Sequence, residues 1–421
     1  MTTYSYTIIS RLFYAGLWCC ALPLYLLYFL YRSLRQADYR KHLSERFVFA
    51  SKNVQAPIWL HAASLGEVKA AAPLLAELQL SHPEIAILIS CQTPAGRKAA
   101  QALPLSNKVV VYLPFDMAIF TRRFFRIYKP SVALIFETEI WPNLFLSARQ
   151  AGVPLLMINA RITERSVRRY AKLGTLIAQA LKLPNAIVCQ TQADADRLIE
   201  AGALPEVVSV SGNIKWDIGQ QLAKNDEALY QRHPVWIAAS THELEEQFVI
   251  EMHRKVLQQW PAALLLWAPR HPERFDSVYL SAVKSGLNIQ RRSQHTLPNQ
   301  DCQVFLIDTL GELVQFLSGA NVVFVGGSLQ NIGGHNVLEP ASLGLPVIVG
   351  PHTQNFAEVI ENLKQAGALL QVADAVQLQT ELLDLLCNPE RANRMGQNAL
   401  HCVMQNKGAL QKTKALIDQR L

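Results

Sequence analysis

The chain has 421 residues, half of them hydrophobic, and a formal net charge of +7 at pH 7. That length and apolar content exclude a disordered chain and allow two domains, each with a core of its own. An odd count of seven cysteines without a C-x-x-C spacing, and 11 histidines without an H-E-x-x-H pattern, set aside a redox centre, a disulfide framework and a protein-held metal. No basic run is interleaved with aromatics and no helix-turn-helix or zinc-finger spacing occurs, so no nucleic-acid partner is expected.

From Leu12 to Tyr31 there are 20 residues without a charge, LFYAGLWCCALPLYLLYFLY, about the length that crosses ~30 Å of hydrocarbon as a helix. Only Arg11 precedes the run and no small-residue cleavage site follows it, which favours an uncleaved anchor over a signal peptide or a buried core helix. Arg32, Arg35, Arg40 and Lys41 begin a basic stretch that extends to Arg46, and the positive-inside rule then places the rest of the chain in the cytoplasm. Pro23 leaves a kinked or monotopic insertion open. The net positive charge reads as attraction to anionic lipid.

Beyond the anchor, apolar runs alternate with helical periods. Strands are expected at Ile58–Ala62, Ile85–Ser90, Val109–Leu113, Val132–Phe136 and Pro154–Ile158, with helices after Ser64, over Thr93–Leu103, around Met117–Tyr128 and over Pro142–Gly152. The pattern resets after GNIKWD, where Gln220–His233 is polar and reads as a linker. A second series follows: strands Val235–Ala239, Ala263–Ala268 and Gln303–Ile307 with helices Glu245–Trp260 and Arg274–Ser285. Such alternation argues α/β architecture, with two doubly wound parallel sheets.

Asn321–Phe356 carries the densest pattern. Val322–Val325 is a buried strand that breaks at Gly326 and Gly327; a second pair, Gly333 and Gly334, precedes His335, Asn336 and Glu339 at the start of a helix carrying Leu338, Ala341 and Leu343. Unpaired backbone N–H groups and the positive helix end then point into the loop, the outline of an anion site on Gly326, Gly327 and Ser328. Glu339 can accept hydrogen bonds from both hydroxyls of a ribose. Another strand, Pro346–Val349, closes the unit. Neither the P-loop pattern nor the dinucleotide fingerprint is present, and a nucleotide-activated sugar fits better. Glycine pairs also serve tight turns for steric reasons alone, and that reading stays open.

Four further constellations stand out, three of them at strand ends, where open parallel sheets hold ligands. Ser64–Glu67, SLGE, reads both as a capping box and as a carboxylate facing the crevice. FETEIWPN puts Glu137 and Glu139 just past a buried strand, where carboxylates need partners. Lys215 of GNIKWD stands at the domain joint. ASTHELEE and WAPRHPERF place Ser240, Thr241 and Arg270 within reach of a nucleotide's phosphate and base. The cationic run Arg161, Arg165, Arg168, Arg169 and Lys172 is either a solvated helix face or a seat for acceptor phosphates.

Together SLGE, ETEIWPN, the Asn159–Arg161 NAR, GNIKWD, APRHPERF, DTLGEL, FVGGS, GGHNVLE and GPHTQNF resemble the lipopolysaccharide Kdo (3-deoxy-D-manno-octulosonic acid) transferases, in order and over essentially the whole chain. The resemblance implies a GT-B glycosyltransferase fold: an anchor at 1–33, an acceptor-binding Rossmann-like domain at 34–217, a CMP-Kdo-binding one at 218–390 facing it across a cleft, and a helix at 391–421 packing back across the hinge. It implies inverting transfer of Kdo from CMP-Kdo to lipid IV-A, the lipid A precursor, on the cytoplasmic side of the inner membrane without a metal. Carried over by motif, Glu67 is the base, and Glu137 and Lys215 stabilise the transition state. CMP contacts fall on Pro269, Arg270, Leu310, Gly311, Glu312, Asn336, Val337, Leu338 and Glu339. The segment Ser328–Ile332 and the leucine of DTLGEL depart from the commoner residues. A UDP-sugar transferase of the same architecture, a sugar-nucleotide epimerase and a nucleotide-regulated membrane adaptor are the competing readings.

Overall fold

A computed structural model describes residues 8–35, 37–39, 41–49, 54, 56–171, 175–217 and 234–421. The expected linker Gln220–His233 lies outside the described residues, as do Arg40 and Lys172. The chain divides into two compact units, Met1–Asp217 with Lys407–Leu421, and Ile218–Asn406.

The first unit is built on β1 (Ile58–His61), β2 (Ile87–Cys91), β3 (Lys108–Tyr112), β4 (Val132–Phe136), β5 (Leu155–Ala160), β6 (Ala186–Cys189) and β7 (Val208–Val210). They form one parallel sheet in the order β3-β2-β1-β4-β5-β6-β7. Every residue of β1, β2, β4, β5 and β6 is buried, which is why these strands read as continuous apolar runs rather than alternations. One core face centres on Trp59, Phe124, Phe125 and Phe145, the other on Leu60, Leu74, Leu75 and Phe136.

The second unit repeats the plan with β8 (Val235–Thr241), β9 (Leu264–Pro269), β10 (Ile289–Arg291), β11 (Val304–Leu306), β12 (Val322–Val325), β13 (Val347–Val349) and β14 (Leu369–Gln371). The order is β10-β11-β9-β8-β12-β13-β14, again wholly parallel. In each sheet the first strand lies between neighbours reached in opposite directions. The crevice therefore opens at the carboxyl ends of β1 and β4 in one unit and of β8 and β12 in the other.

The N-terminal helix runs Ile8–Arg35, and its stretch Leu12–Leu34 is 23 residues of mean hydropathy 1.7, long and apolar enough to serve as a membrane anchor. It is not free of the first unit. Tyr14, Trp18, Tyr25 and Phe29 fall on one stripe: the Tyr14 hydroxyl donates to Asp116 (2.8 Å), while the rings of Trp18, Tyr25 and Phe29 lie 6.0–6.4 Å from Phe115. Leu12, Phe13, Leu24, Leu27, Leu30 and Leu34 remain exposed. Arg46, the end of the basic stretch, is buried over the rings of Phe29 and Tyr112. Burial there lowers its pKa to about 10.

Residues 391–421, expected as one helical segment, divide between the end of Pro389–Asn406 in the second unit and a separate helix, Ala409–Asp418, in the first. The break falls at Gly408, and Asp217 receives the N–H groups of Gly408 and Leu410, both at 2.7 Å. The aspartate of GNIKWD is thus a cap for the returning helix, whose Leu410 and Ile417 complete a core face of the first sheet.

Candidate active site

In the first unit Ser64 ends the turn after β1 and caps the helix Leu65–Ser81, its hydroxyl accepting from the Glu67 N–H. Glu67 answers one residue earlier than a standard capping box, taking the Ala63 N–H at 2.8 Å on one oxygen and the Ser64 hydroxyl at 2.8 Å on the other. Both readings of SLGE therefore hold at once: the residue caps, and it stands half-buried at the mouth of the crevice. Burial lifts the Glu67 pKa above the ordinary 4.5; the bonds from Ser64 and Ala63 oppose this, while the charges of Glu137 and Glu139 add to it. A carboxylate so held is a stronger base than a solvated one.

Glu137 follows β4 directly, in left-handed backbone (φ 59°) although it carries a side chain. Such a conformation costs on the order of 1 kcal/mol and is tolerated where surrounding structure fixes it, here the ladder bond from its N–H to the Ile158 carbonyl (2.9 Å). The turn aims its carboxylate at Lys215, whose Nζ lies 3.4 Å from Oε1. Lys215 is held in turn by Asn159: the side-chain oxygen of this fully buried, left-handed residue (φ 52°) accepts the Ile214 N–H at 3.0 Å. The asparagine of NAR is thus a positioning residue, seated at a register shift in β5. Glu139 accepts from Gln92 (2.8 Å) and the Trp141 indole (2.9 Å), and the fully buried His61 turns Nε2 toward it at 3.9 Å. Glu67, Glu137, Glu139 and Lys215 are brought together as the sequence suggested. Arg165, Arg168 and Arg169 lie exposed on the helix Glu164–Ala171.

The second unit corrects the reading of the glycine loop. The N–H groups of Gly327 (2.8 Å), Ser328 (3.1 Å) and Leu329 (3.0 Å) all donate to the fully buried Glu245 carboxylate, which also takes the His242 N–H at 2.9 Å. An internal anion already occupies the nest, so these amides do not await a phosphate. The glycines answer to packing instead. A Cβ on Gly326 would stand 2.7 Å from Glu245 Oε2, and one on Gly327 (φ 65°) would stand 2.8 Å from the His335 ring. The helix after the loop is also shorter than expected, Leu338–Ser342, and its Leu338 N–H is taken by Asn336 at 3.1 Å, so it offers little dipole.

The remaining second-unit candidates separate by environment. Thr241 is buried and its hydroxyl receives the Trp267 indole N–H at 2.9 Å, a structural bond rather than a phosphate contact. Ser240, left-handed at φ 53°, sits at a register shift between β8 and β9. Pro269 ends β9; Arg270 follows, anchored by its N–H to the Thr241 carbonyl (3.0 Å), and no described residue pairs with its guanidinium. Leu310 is exposed beside Gly311, and Glu312 is paired with Arg292 at 3.1 Å. Val337 and Leu338 are buried, leaving only their backbone to touch a ligand. Glu339 accepts from the Asn336 amide at 3.0 Å, and burial raises its pKa against that bond.

Sequence reasoning named the motif of Glu245, those of His242 and His271, and His335 itself, without a role for any of the four. His242 and His335 face each other through their Nε2 atoms at 2.9 Å, and the ring of His271 stands edge-on to His242 with centroids 5.1 Å apart. The His242 and His335 rings are nearly coplanar (3°) with centroids at 5.2 Å, the geometry of an in-plane N–H···N bond, not of face stacking. The signal was in the sequence: His242 lies three residues before Glu245, the spacing of a capped helix start.

The 3-Deoxy-D-manno-octulosonic-acid transferase (kdotransferase) family model matches residues 41–218, and that of Glycosyl transferases group 1 matches residues 282–401. The 3-deoxy-D-manno-octulosonic acid transferase of Haemophilus influenzae is 36% identical over 420 residues, covering 97% of this chain and 98% of that one. Among solved structures, the C-terminal CMP-Kdo binding domain of WaaA from Acinetobacter baumannii is 37% identical, covering 42% of this chain and 92% of that one at a TM-score of 0.40. The glycotransferase of kitacinnamycin shares the fold at a TM-score of 0.51 with 14% identity, covering 88% of this chain and 100% of that one. The two parallel seven-stranded sheets are those of a GT-B glycosyltransferase. Matched almost end to end by one relative and over its first unit by the family model, the chain belongs to the 3-deoxy-D-manno-octulosonic acid transferase family.

Proposed function

We propose that this Kdo transferase moves Kdo from CMP-Kdo onto lipid IV-A with inversion, and that Glu67 is the general base. The observation that carries the reading is the setting of Glu67: a carboxylate of raised proton affinity at the switch point of the first sheet, within reach of the charge of Glu137, which itself pairs with Lys215. In a single displacement the acceptor hydroxyl oxygen bonds to the anomeric carbon of Kdo as the bond from that carbon to the CMP phosphate breaks. The hydroxyl proton passes to Glu67, and the electron pair leaves on CMP. Glu137 and Lys215 stabilise the charge that develops at the reacting centre, and Arg270 holds the phosphate. Glu339 receives the ribose hydroxyls. Cationic side chains supply what a divalent ion would, so no metal is invoked.

The acceptor is a lipid, which agrees with the apolar helix Ile8–Arg35 and with the exposed arginines of Glu164–Ala171 as a seat for its phosphates. Location on the cytoplasmic side of the inner membrane follows from Arg32 and Lys41 after the apolar stretch. The packed stripe from Tyr14 to Phe29 spans ~22 Å of helix. A helix tied to a globular unit over that length lies in the membrane plane with its leucine face in lipid, rather than across the bilayer. Removing residues 1–33 should therefore release the protein from membranes but bare Phe115.

Mass spectrometry of the lipid after incubating the purified protein with CMP-Kdo and lipid IV-A tests the reaction. A product heavier by whole Kdo residues is expected. Product from a UDP-sugar and none from CMP-Kdo would overturn it in favour of another transferase of the same fold.

A further inference from the structure

The phosphate of the donor needs a counter-charge in the second unit, and the glycine loop does not supply it, because Glu245 has taken its amides. What the loops at the ends of β8, β9 and β12 turn to the same place is a set of side chains. His242 follows β8, Arg270 and His271 follow β9, and His335 comes from the loop after β12. Gly327 is the device that admits His335: any side chain there would meet the imidazole at 2.8 Å.

The chemistry of the pair is restrictive. Two imidazoles joined Nε2 to Nε2 share one proton in that bond, so the accepting ring, if neutral, must carry its own proton on Nδ1 and present it as a donor. One further proton makes both outer nitrogens donors and gives the pair a full positive charge, which an arriving anion favours. Arg270 is tied by its N–H to the carbonyl of Thr241, the residue before His242, at 3.0 Å, and no described residue pairs with its guanidinium. The neighbouring acids have hydrogen-bond or ion-pair partners of their own. Glu245 is spent on four amides, Glu273 lies 3.8 Å from His271 at the rim, and Glu246 is bound to Arg274 at 2.6 Å. Burial lowers the His242 pKa against the opposing charge of Glu245, and the charges of His271 and Arg270 lower it further. No group of three His, Cys, Asp or Glu among the described residues converges on a cation site.

We propose that the donor's phosphate is seated by Arg270 together with the hydrogen-bonded His242–His335 pair, side chains standing where related nucleotide sites use loop amides. The inference rests on reading the second unit as the donor site, and it predicts a contrast between ligands with and without a phosphate. Calorimetry of the full-length protein with CMP and with cytidine, on the wild type, His242→Gln, His335→Gln and Arg270→Gln, measures it. CMP affinity should fall at least about tenfold in each variant while cytidine affinity is retained, since the nucleoside lacks the group the cluster holds. Retained CMP affinity in both histidine variants, or equal losses for CMP and cytidine, would overturn the proposal and make the pair a packing element. If the wild type prefers UDP to CMP, it is the reading of the donor that fails, and the same contrast between UDP and uridine still decides the seat.

Discussion

Two glutamates occupy the same place in the two units and have different fates. Glu67 and Glu245 each stand three residues after the cap of the helix that follows the first strand of a sheet, in S-x-x-E and H-x-x-E. Glu245 reaches inward to four backbone N–H groups and is fully buried. Glu67 has one amide and one hydroxyl, faces two other carboxylates and is only half-buried. One carboxylate is spent as structural glue; the other is left with proton affinity to use. Topology puts an acid at each switch point, and the number of donors around it decides how much of its hydrogen-bonding capacity is left over.

The largest effect that sharpens this contrast is expected at Glu67→Gln. Glutamine can accept from the Ala63 N–H and donate to Ser64 Oγ, so the helix start survives with a stability change well under ~1 kcal/mol. It cannot take a proton. Turnover measured by Kdo transfer should drop ~10²–10⁴-fold at unchanged CMP affinity. A wild-type rate would move the base elsewhere, with Glu137 next in line.

A second acid of the first unit with raised proton affinity, Asp116, offers a way to separate stability from rate. Asp116 is buried, and burial raises its pKa from 3.8 to about 6 against bonds from Asn143, Tyr14 and Leu144. A carboxyl raised in the folded state contributes stability that is full below pH 3.8 and lost as pH rises through about 6. Denaturant midpoints should therefore reveal a loss of up to ~3 kcal/mol between those limits that Asp116→Asn abolishes, with no matching limb in the rate. A pH slope unaltered in the variant would assign the titration to another group.

In the second unit, Glu339→Ala should weaken CMP binding by ~1–3 kcal/mol while the melting temperature is kept, because among the described residues its carboxylate is paired only with Asn336. Unchanged affinity in calorimetry would leave it a brace for that asparagine. The smallest effect is expected from neutralising Arg165 and Arg169, exposed on their helix: a several-fold rise in the acceptor KM with the donor KM unchanged. Equal shifts in both constants would remove the arginines from the acceptor site.

The strands that carry this chemistry were plain in the sequence. Val132–Phe136 and Val322–Val325 are found as expected, because burial on both faces leaves an uninterrupted apolar run bounded by polar residues. The strands not anticipated include β7, β10 and β14, three residues each with part of their length exposed, too short for any periodicity. The strand-end placement of Glu67, Glu137 and Arg270 was legible because their motifs directly follow apolar runs. The spent nest was not. A Gly-Gly turn looks the same whether its amides await a ligand or already hold Glu245, 82 residues away in sequence, and only the fold brings that carboxylate in. Thr241 was misjudged for the same reason, since its partner Trp267 comes from the next strand.

The central claim, that Glu67 is a base of raised proton affinity, is tested most directly by the pH dependence of Kdo transfer in the wild type and in Glu67→Gln. The wild-type rate should fall in acid along a limb centred above the 4.5 of an ordinary glutamate, because only the ionised carboxylate accepts the proton. The variant's residual rate should lack that limb. A limb of the same position in Glu67→Gln would contradict the account, since the titrating base would then be another residue.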